Sequence, residues 1–304
     1  MKRPHSFPVR IILLVLLGGC FIWALVSLVQ HFLIPTAELR DLQRTEKELV
    51  GATLAPSPTA VTQASLSEPE GSAEALPSPA PVTAATMIPK PDPVTGAMPE
   101  LLPDYVYLYA VNSDMGGWLR VRAIPRIDFA WVRGKNAFYI HKDFYGRESA
   151  GGTAFLDESC TDWPRDPNLI IYAHNLKSGD MFGELHRLSE ASLLASNPLI
   201  DFDTLYEKGV YVPVSVCVCD INPGTASYFD FNVPTFPNEA AFDAFVNRAR
   251  ELNLVRYGAD AKWGDRLLTL VTCFDDANQQ RFLVIARELR VGETEESAVS
   301  AFFR

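Results

Sequence analysis

The chain has two short apolar stretches near its C-terminus, Leu267-Leu268-Thr269-Leu270-Val271-Thr272-Cys273 and, after a polar turn, Arg281-Phe282-Leu283-Val284-Ile285-Ala286. Runs of this length and composition, bounded by turn residues, are typical of buried strands. The first strand ends in a cysteine and the second begins with an arginine. Since only a short turn joins them, Arg281 is expected to face back toward Cys273.

A third apolar run lies about a hundred residues upstream, where residues 169–173 lead into His174 and Asn175. A thiol acts as a nucleophile near neutral pH only with a proton acceptor or an imidazolium beside it. A carbonyl under attack needs a cation or an N–H to hold its developing negative charge. Cys273, His174 and Arg281, all at strand ends, can supply these three functions, and they are the predicted catalytic residues.

At these residues the chain resembles the sortases, the cysteine transpeptidases that attach proteins to the Gram-positive cell wall. The sortase signature is a TLxTC strand with a later arginine and an upstream histidine; here it reads TLVTC (269–273), Arg281 and His174. Class B enzymes commonly have serine where this chain has Val271, a difference that bears on peptide preference. Further stretches look like class B sortases: 114–118, 134–139, 141–146, 174–182, 203–206 and the helix between the strands at Val210 and Leu267.

From Asp104 onward about 200 residues remain, enough for one well-cored domain. Short β-rich runs separated by turns, with few βαβ-like alternations, predict a mostly antiparallel barrel. The resemblance implies a closed sortase-type barrel of about eight strands with peripheral helices. The apolar spacing predicts a helix over Asn238–Leu252, and a second helix is expected over Met181–Ser189. The expected strands are one ending at Val121 and others at 129–132, 153–156, 169–173, 210–219, 267–272 and 282–286.

The N-terminus predicts a membrane anchor. Residues 1–10 are basic, and the nineteen residues 11–29 carry no charge; as a helix they would reach about 28 Å, close to the thickness of a hydrocarbon core. Basic residues before the span favour a cytoplasmic N-terminus and a catalytic domain on the extracellular face of the cell membrane. A cleaved signal peptide and lipidation at Cys20 are the alternatives. No A-x-A site follows Val29, and further apolar residues follow Cys20, so both are less favoured.

The predicted organisation has five parts. Residues 1–34 form the basic end and transmembrane anchor, and 35–51 form a short exposed helix in which charges alternate with leucine. Residues 52–103 are rich in Pro, Ala, Ser and Thr and are expected to be a disordered linker, because such a stretch buries too little apolar surface to offset its ordering entropy. The catalytic domain is expected over 104–290, followed by a C-terminal tail over 291–304.

Cysteine use and charge exclude several functions. Beyond the anchor and Cys273, the cysteines are Cys160, Cys217 and Cys219, too few for a disulfide framework in a domain of this size. Cys217 and Cys219 are expected to be buried small side chains, and no metal site is predicted. The formal net charge of −10 argues against nucleic-acid binding.

The chain offers competing residues for the histidine and the arginine roles. His141 and His186 compete with His174; His141 is expected to be structural, and His186 to lie on the solvated face of a helix. Arg287 and Arg290 are alternatives to Arg281, but both come after the strand has run on. Asp275 and Asn175 are candidate supporting residues, although Asp275, like Asp276, is more simply a turn residue. By resemblance, the peptide groove is expected to include Asn136 and Ile140, together with Val271 and Thr272.

The predicted reaction is acyl transfer in two steps, without cofactor or metal. Cys273 would attack a sorting-signal threonine carbonyl, Arg281 would hold the oxyanion, and His174 would move protons. The resemblance implies surface proteins carrying an NPxTx-like signal as substrates and an amine of peptidoglycan or its lipid-linked precursor as acceptor. The alternatives are a pilin polymerase with a lysine acceptor, a cysteine protease of the same fold, and a catalytically inactive binding module.

Overall fold

Eight strands close into a barrel in the order β1-β2-β3-β4-β7-β8-β6-β5. The computed structural model describes residues 96–134, 136–275 and 279–303, together with residues 44, 47 and 91. The strands are β1 (Met115–Val121), β2 (Asp128–Val132), β3 (Ala154–Leu156), β4 (Asn168–Tyr172), β5 (Ile200–Thr204), β6 (Val210–Asp220), β7 (Leu267–Asp275) and β8 (Gln280–Glu288).

The pairing is mostly antiparallel, as the sequence predicted. Six of the eight neighbouring pairs run antiparallel, and the two exceptions, β2–β3 and β4–β7, are parallel. The closed barrel of eight strands is therefore confirmed. β5 was not among the strands expected from composition, because its sequence IDFDT is short and carries an aspartate at every second position.

Both faces of the central strands are covered. Alternate residues of β7, such as Leu268 and Leu270, fill the barrel interior, whereas Val271 belongs to an outer cluster. That outer cluster is closed by the long helix between β6 and β7, whose buried residues are Phe242, Phe245, Val246 and Ala249. A strand apolar on both faces is fixed in register from both sides, which fixes the position of its ends.

The helices differ in part from expectation. In chain order they are α1 (Val106–Val111), α2 (Asn136–Tyr139), α3 (Ala191–Ser196), α4 (Glu239–Glu251) and α5 (Glu295–Phe302), with 3₁₀ turns at Pro103–Tyr105 and Leu185–Ser189. The helix expected over Asn238–Leu252 is confirmed as α4, whose N-cap Asn238 accepts a hydrogen bond from the Ala241 amide. α1 was not expected.

The helix expected over Met181–Ser189 is wrong. Met181 has a positive φ of 53°, a left-handed conformation that ends regular helix. The amide of Phe182 donates to the carbonyl of His174 at 2.9 Å, and Asn175 bridges to Met181. The chain therefore folds back after His174 into a closed loop, and only residues 185–189 take a tight 3₁₀ turn.

The segment 291–304, predicted as a tail, contains a packed helix. The side chain of Thr294 and the amide and side chain of Ser297 form a capping box at the start of α5. Ala298 and Phe302 are buried in the interior cluster, and Glu295 pairs with Arg122 at 2.6 Å. The last helix is thus part of the folded barrel domain.

The predicted anchor lies outside the described residues, as does most of the predicted stalk and linker, of which residues 44, 47, 91 and 96–103 are described. Among the residues that are described, no helix combines the length and the apolar character needed to cross a bilayer. The boundaries assigned to these N-terminal parts stay predictions.

Candidate active site

The three predicted catalytic residues lie on, or just after the end of, three neighbouring strands of the barrel. β4 and β7 are parallel, and their last paired residues are Tyr172 and Val271. His174 and Cys273 each follow two residues later. Because parallel strands end at the same edge of a sheet, the register brings the backbones of His174 and Cys273 to one edge of the barrel.

Arg281 is placed at the same edge by the next ladder. The Cα of Cys273 pairs with that of Arg281 across the antiparallel strands β7 and β8. The ladder becomes irregular directly afterwards, between Cys273 and Asp275. Such irregularities bend a strand and re-aim side chains, and they are frequent beside active sites.

His174 is half-buried, and its imidazole has a defined partner. Its Nε2 atom lies 2.7 Å from the main-chain oxygen of Ile140, which directly follows α2. A second imidazole lies nearby, with the His141 ring centroid 6.2 Å from that of His174, but His141 is exposed. The two histidine rings therefore lie side by side. Among the contacts described for these rings, only that of His174 is made to a main-chain carbonyl oxygen.

Arg281 is half-buried and lies near two side chains that sequence analysis did not connect with it. Its Nη1 donates to the carbonyl of Gln280 at 3.0 Å, and on β6 it pairs with Cys219. Burial raises the pKa of the Tyr172 phenol well above its usual value, and the nearby positive charge of Arg281 opposes part of that rise. Tyr172, which stacks on Phe155 with centroids 5.6 Å apart, is thus part of the surroundings of the guanidinium.

The competing arginines serve the opposite end of the barrel. Arg287 pairs with Leu267 at the start of β7, and its fully buried guanidinium contacts Glu293 at 2.7 Å. Arg290 pairs with Asp265 at 2.8 Å. A buried guanidinium paired with a carboxylate has a structural role, because removing the carboxylate would leave a buried, uncompensated positive charge.

His186 is likewise engaged elsewhere. It lies in the 3₁₀ turn at Leu185–Ser189, and its Nδ1 contacts the carbonyl of Gly183 at 3.0 Å. It lines an open cavity of about 390 Å³ beside the loop that follows His174. The other lining residues are Asn175, Leu176, Lys177, Ser178, Gly179, Gly183 and Glu184.

The remaining predicted site residues fall into two groups. Asn136 begins α2, Asn175 is exposed in the loop after His174, and Asp275 pairs with Gln280 at the end of β7. Val271 and Thr272, by contrast, are buried. A peptide would have to displace the outer cluster to touch Val271. Thr272 faces the barrel interior, where its hydroxyl finds no hydrogen-bond partner among the described residues.

The other cysteines of the described region are free but unreactive in character. Burial raises the pKa of the Cys160, Cys217 and Cys219 thiols to about 12, so they remain protonated near neutral pH. The expectation that Cys217 and Cys219 are buried small side chains is confirmed. Within the part of the chain that the structure describes, no group of His, Cys, Asp and Glu has the arrangement of a metal site.

Comparison with known proteins gives a consistent result. The chain is 25% identical to the sortase B of Listeria monocytogenes over 178 residues, which is 57% of this chain and 68% of that protein. Its fold matches a Staphylococcus aureus sortase B–substrate complex, with a TM-score of 0.57, 22% identity and coverage of 64% of this chain and 88% of that one. A mutant form of Clostridium perfringens sortase B matches with a TM-score of 0.55, 25% identity and coverage of 62% and 87%. No family model matches the chain.

The barrel, with its helix inserted between β6 and β7, is therefore a sortase fold. In sequence and in fold the chain is similar to class B sortases, the resemblance that the TLVTC strand and the upstream histidine predicted.

Proposed function

We propose that this protein is a membrane-anchored cysteine transpeptidase that cleaves a C-terminal sorting signal at threonine and transfers the acyl group to a cell-wall amine. The coarse function, a sortase-type transpeptidase, rests on the similarity to class B sortases. The observation that carries the chemistry is the register of β4, β7 and β8, which brings His174, Cys273 and Arg281 to one edge of the barrel.

The proposed reaction conserves an amide bond. The thiol of Cys273 loses its proton to His174 and attacks the threonine carbonyl carbon, and Arg281 stabilises the negative oxygen that forms. The C–N bond then breaks, the leaving amine takes the proton from His174, and a thioester remains on Cys273. An incoming amine gives a proton to His174 and attacks the thioester carbon. The new amide forms as the C–S bond breaks, and His174 returns the proton to the departing sulfur of Cys273. The energy of the first amide is kept in the thioester, so the cycle uses no nucleotide or metal.

The substrate and the acceptor are the finer part of the proposal. An NPxTx-like signal is proposed because the chain resembles class B enzymes in the stretches around His174 and Cys273, and one of the similar structures is a sortase B–substrate complex. The acceptor is proposed to be an amine of peptidoglycan or its lipid-linked precursor. A pilin lysine as acceptor and water as acceptor are the two competing outcomes.

The proposal is tested by incubating one fluorogenic NPxTx-type peptide with the enzyme in the presence and absence of an amine acceptor. Ligated product exceeding hydrolysed product, with a rate that depends on the amine, is the expected result. If hydrolysis dominates at every amine concentration, the protein is a protease. If only a pilin subunit with an exposed lysine is ligated, it is a pilin polymerase.

The location is proposed from the sequence of residues 1–34, with the N-terminus in the cytoplasm and the barrel outside. A protease added to intact cells is expected to release a barrel-containing fragment that begins within 52–103, because a proline-rich linker is accessible to cleavage. Recovery of the full-length mature protein in the medium would contradict an uncleaved anchor.

Arg281→Lys is expected to reduce kcat/KM by about 10²–10³-fold, the usual effect of losing one oxyanion donor. Lysine keeps the charge but presents a single point, whereas a guanidinium offers a planar fork that can hold the oxyanion and the peptide backbone together. Steady-state kinetics on the sorting peptide measure the loss, and thermal unfolding of the same variant is the control. Nearly unchanged turnover with a lowered melting temperature would assign Arg281 to bracing the β7–β8 turn.

A further inference from the structure

The contact between His174 and Ile140 specifies which ring nitrogen carries the proton. Nε2 of His174 lies 2.7 Å from the main-chain oxygen of Ile140, within hydrogen-bonding distance. A carbonyl oxygen has no proton to give, so Nε2 must be the donor. In the neutral ring the second nitrogen, Nδ1, then carries a lone pair and can accept a proton.

The carbonyl is held on a braced segment. Tyr139, the residue before it, is buried and donates through its hydroxyl to Asp114 at 2.8 Å. The amide of Thr153 donates to the carbonyl of Tyr139 at 3.0 Å, and the hydroxyl of Thr153 donates to the carbonyl of Lys142 at 2.8 Å. The backbone on both sides of Ile140 is therefore hydrogen-bonded to Thr153, the residue directly before β3.

A second brace comes from the turn that follows. The buried carboxylate of Asp143 accepts from the amides of Tyr145 and Arg147, each at 2.9 Å, and from Nε of Arg147 at 2.8 Å. The amide of Ser149 donates to the carbonyl of His141 at 3.0 Å. These bonds make residues 141–149 a compact closed turn, so the Ile140 carbonyl cannot readily turn away from His174.

Gly152 is packed directly against this carbonyl. Its φ is +61°, and a Cβ placed there would lie 2.7 Å from the oxygen of Ile140 and 2.8 Å from the oxygen of Tyr139. Both are main-chain atoms, so the clash could be relieved only by moving the backbone. Glycine at 152 thus allows the segment to present the Ile140 oxygen at its present position.

We propose that the Ile140 carbonyl is the orienting group of the active site, which holds neutral His174 in the Nε2–H form and makes Nδ1 the nitrogen that exchanges protons with the thiol and the amines. This inference rests on the proposed role of His174. Nδ1 takes the proton of the Cys273 thiol, passes it to the leaving amine, and later takes one from the incoming amine. When the ring is charged, the Nε2–H···O bond becomes charge-assisted and stabilises the imidazolium. Ile140 and Gly152 are positioning residues in this scheme.

The first test is spectroscopic and does not depend on turnover. The full chain, with ¹⁵N-labelled histidine and in detergent, is examined by NMR at a pH where the rings are neutral, and the His174 signals are assigned by their loss in His174→Gln. The expected result is a pyrrole-type Nε2 and a pyridine-type Nδ1. A protonated Nδ1 in the neutral ring would overturn the proposal, even in a fully active enzyme.

The second test uses Gly152→Ala with Gly264→Ala as its matched control. Gly264 also has a positive φ, +93°, but a Cβ there meets nothing within 4 Å, so it shares the backbone strain without the clash. Gly152→Ala is expected to lower kcat by about 10²-fold or more, since misdirected general acid–base groups forfeit most of their effect, and to change the His174 ring signals. Gly264→Ala should keep both near wild type.

Ile140→Ala separates the carbonyl from the side chain. It removes the proposed groove contact but keeps the main-chain oxygen, so a raised KM with an unchanged Nε2–H form of His174 is expected. A Gly152→Ala enzyme with wild-type kcat, or one that loses activity while the His174 signals stay unchanged, would overturn the positioning role. If Gly152→Ala does not fold, the wild-type spectrum still decides the assignment. Absence of transpeptidation in the wild type would instead count against the proposed function.

Discussion

Replacing Cys273 with alanine should abolish both cleavage and ligation of the sorting peptide while leaving the barrel folded. Removal of a covalent nucleophile in acyl-transfer enzymes costs about 10⁴-fold or more in kcat, because the stepwise route through an acyl-enzyme disappears. Wild-type enzyme quenched in acid during turnover should show a mass increase equal to the acyl fragment of the peptide. Cys273→Ala should show none, with a melting temperature close to wild type.

Cys160→Ala provides the matched control. Its thiol is half-buried, and burial raises its pKa to about 12, so it carries almost no thiolate at neutral pH. The variant should retain the acyl adduct and near wild-type turnover. An adduct that persists in Cys273→Ala and disappears in Cys160→Ala would move the nucleophile from the end of β7 to the loop after β3.

The part of the site that depends on strand pairing was readable from sequence. Residues 267–273 and 281–286 are two apolar runs with one short turn between them. An antiparallel pair with Arg281 opposite Cys273 was therefore the simplest arrangement, and the ladder has that register. The helix α4 was equally clear, because its buried residues recur every three or four positions. These elements could be predicted because in each of them one hydrophobic pattern continues over many residues.

The neighbourhood of His174 was predicted less completely. That β4 lies parallel to β7, and not to any other strand, depends on the closure of the whole barrel, which no local pattern encodes. The prediction of a helix at Met181 was wrong because Met181 takes a left-handed conformation, and the apolar residues there close the loop after His174. β5 was hidden by its alternating aspartates, one of which, Asp201, pairs with Arg122 on the barrel exterior.

The contribution of a main-chain group to a site cannot be read from the residue types in a sequence. Ile140 was expected to contribute an apolar side chain to a groove, yet its defined contact with His174 is made by its carbonyl oxygen. The only sequence trace of that contact is Gly152, twelve residues later, whose missing Cβ makes room for the oxygen. A glycine in an HKDFYG-containing loop reads locally as a turn residue and nothing more.

His174→Ala should lower kcat for transpeptidation by about 10²–10⁴-fold, the range attributed to general acid–base catalysis. The leaving amine cannot depart until it receives a proton. The incoming amine cannot attack as an ammonium ion and must first lose a proton. Both halves of the reaction therefore depend on the imidazole of His174. Single-turnover kinetics separate them: acyl-enzyme formation is followed by release of the leaving peptide, and resolution by transfer from a preformed acyl-enzyme to the amine. Both rates should fall.

Two other imidazoles of the described region, His186 and His141, give controls for this chemistry. His186 contacts the Gly183 carbonyl in a 3₁₀ turn, so His186→Ala should leave both rates near wild type. His141 is the sharper comparison, because its ring lies 6.2 Å from that of His174 and it is exposed enough to reach a substrate. His141→Ala should change the rates by less than about tenfold, since no step of general acid–base catalysis is assigned to it. If His141→Ala were as damaging as His174→Ala, the proton-transfer role would belong to the pair. If it alone were damaging, His174 would be a strand-end residue whose contact with Ile140 only braces the barrel rim.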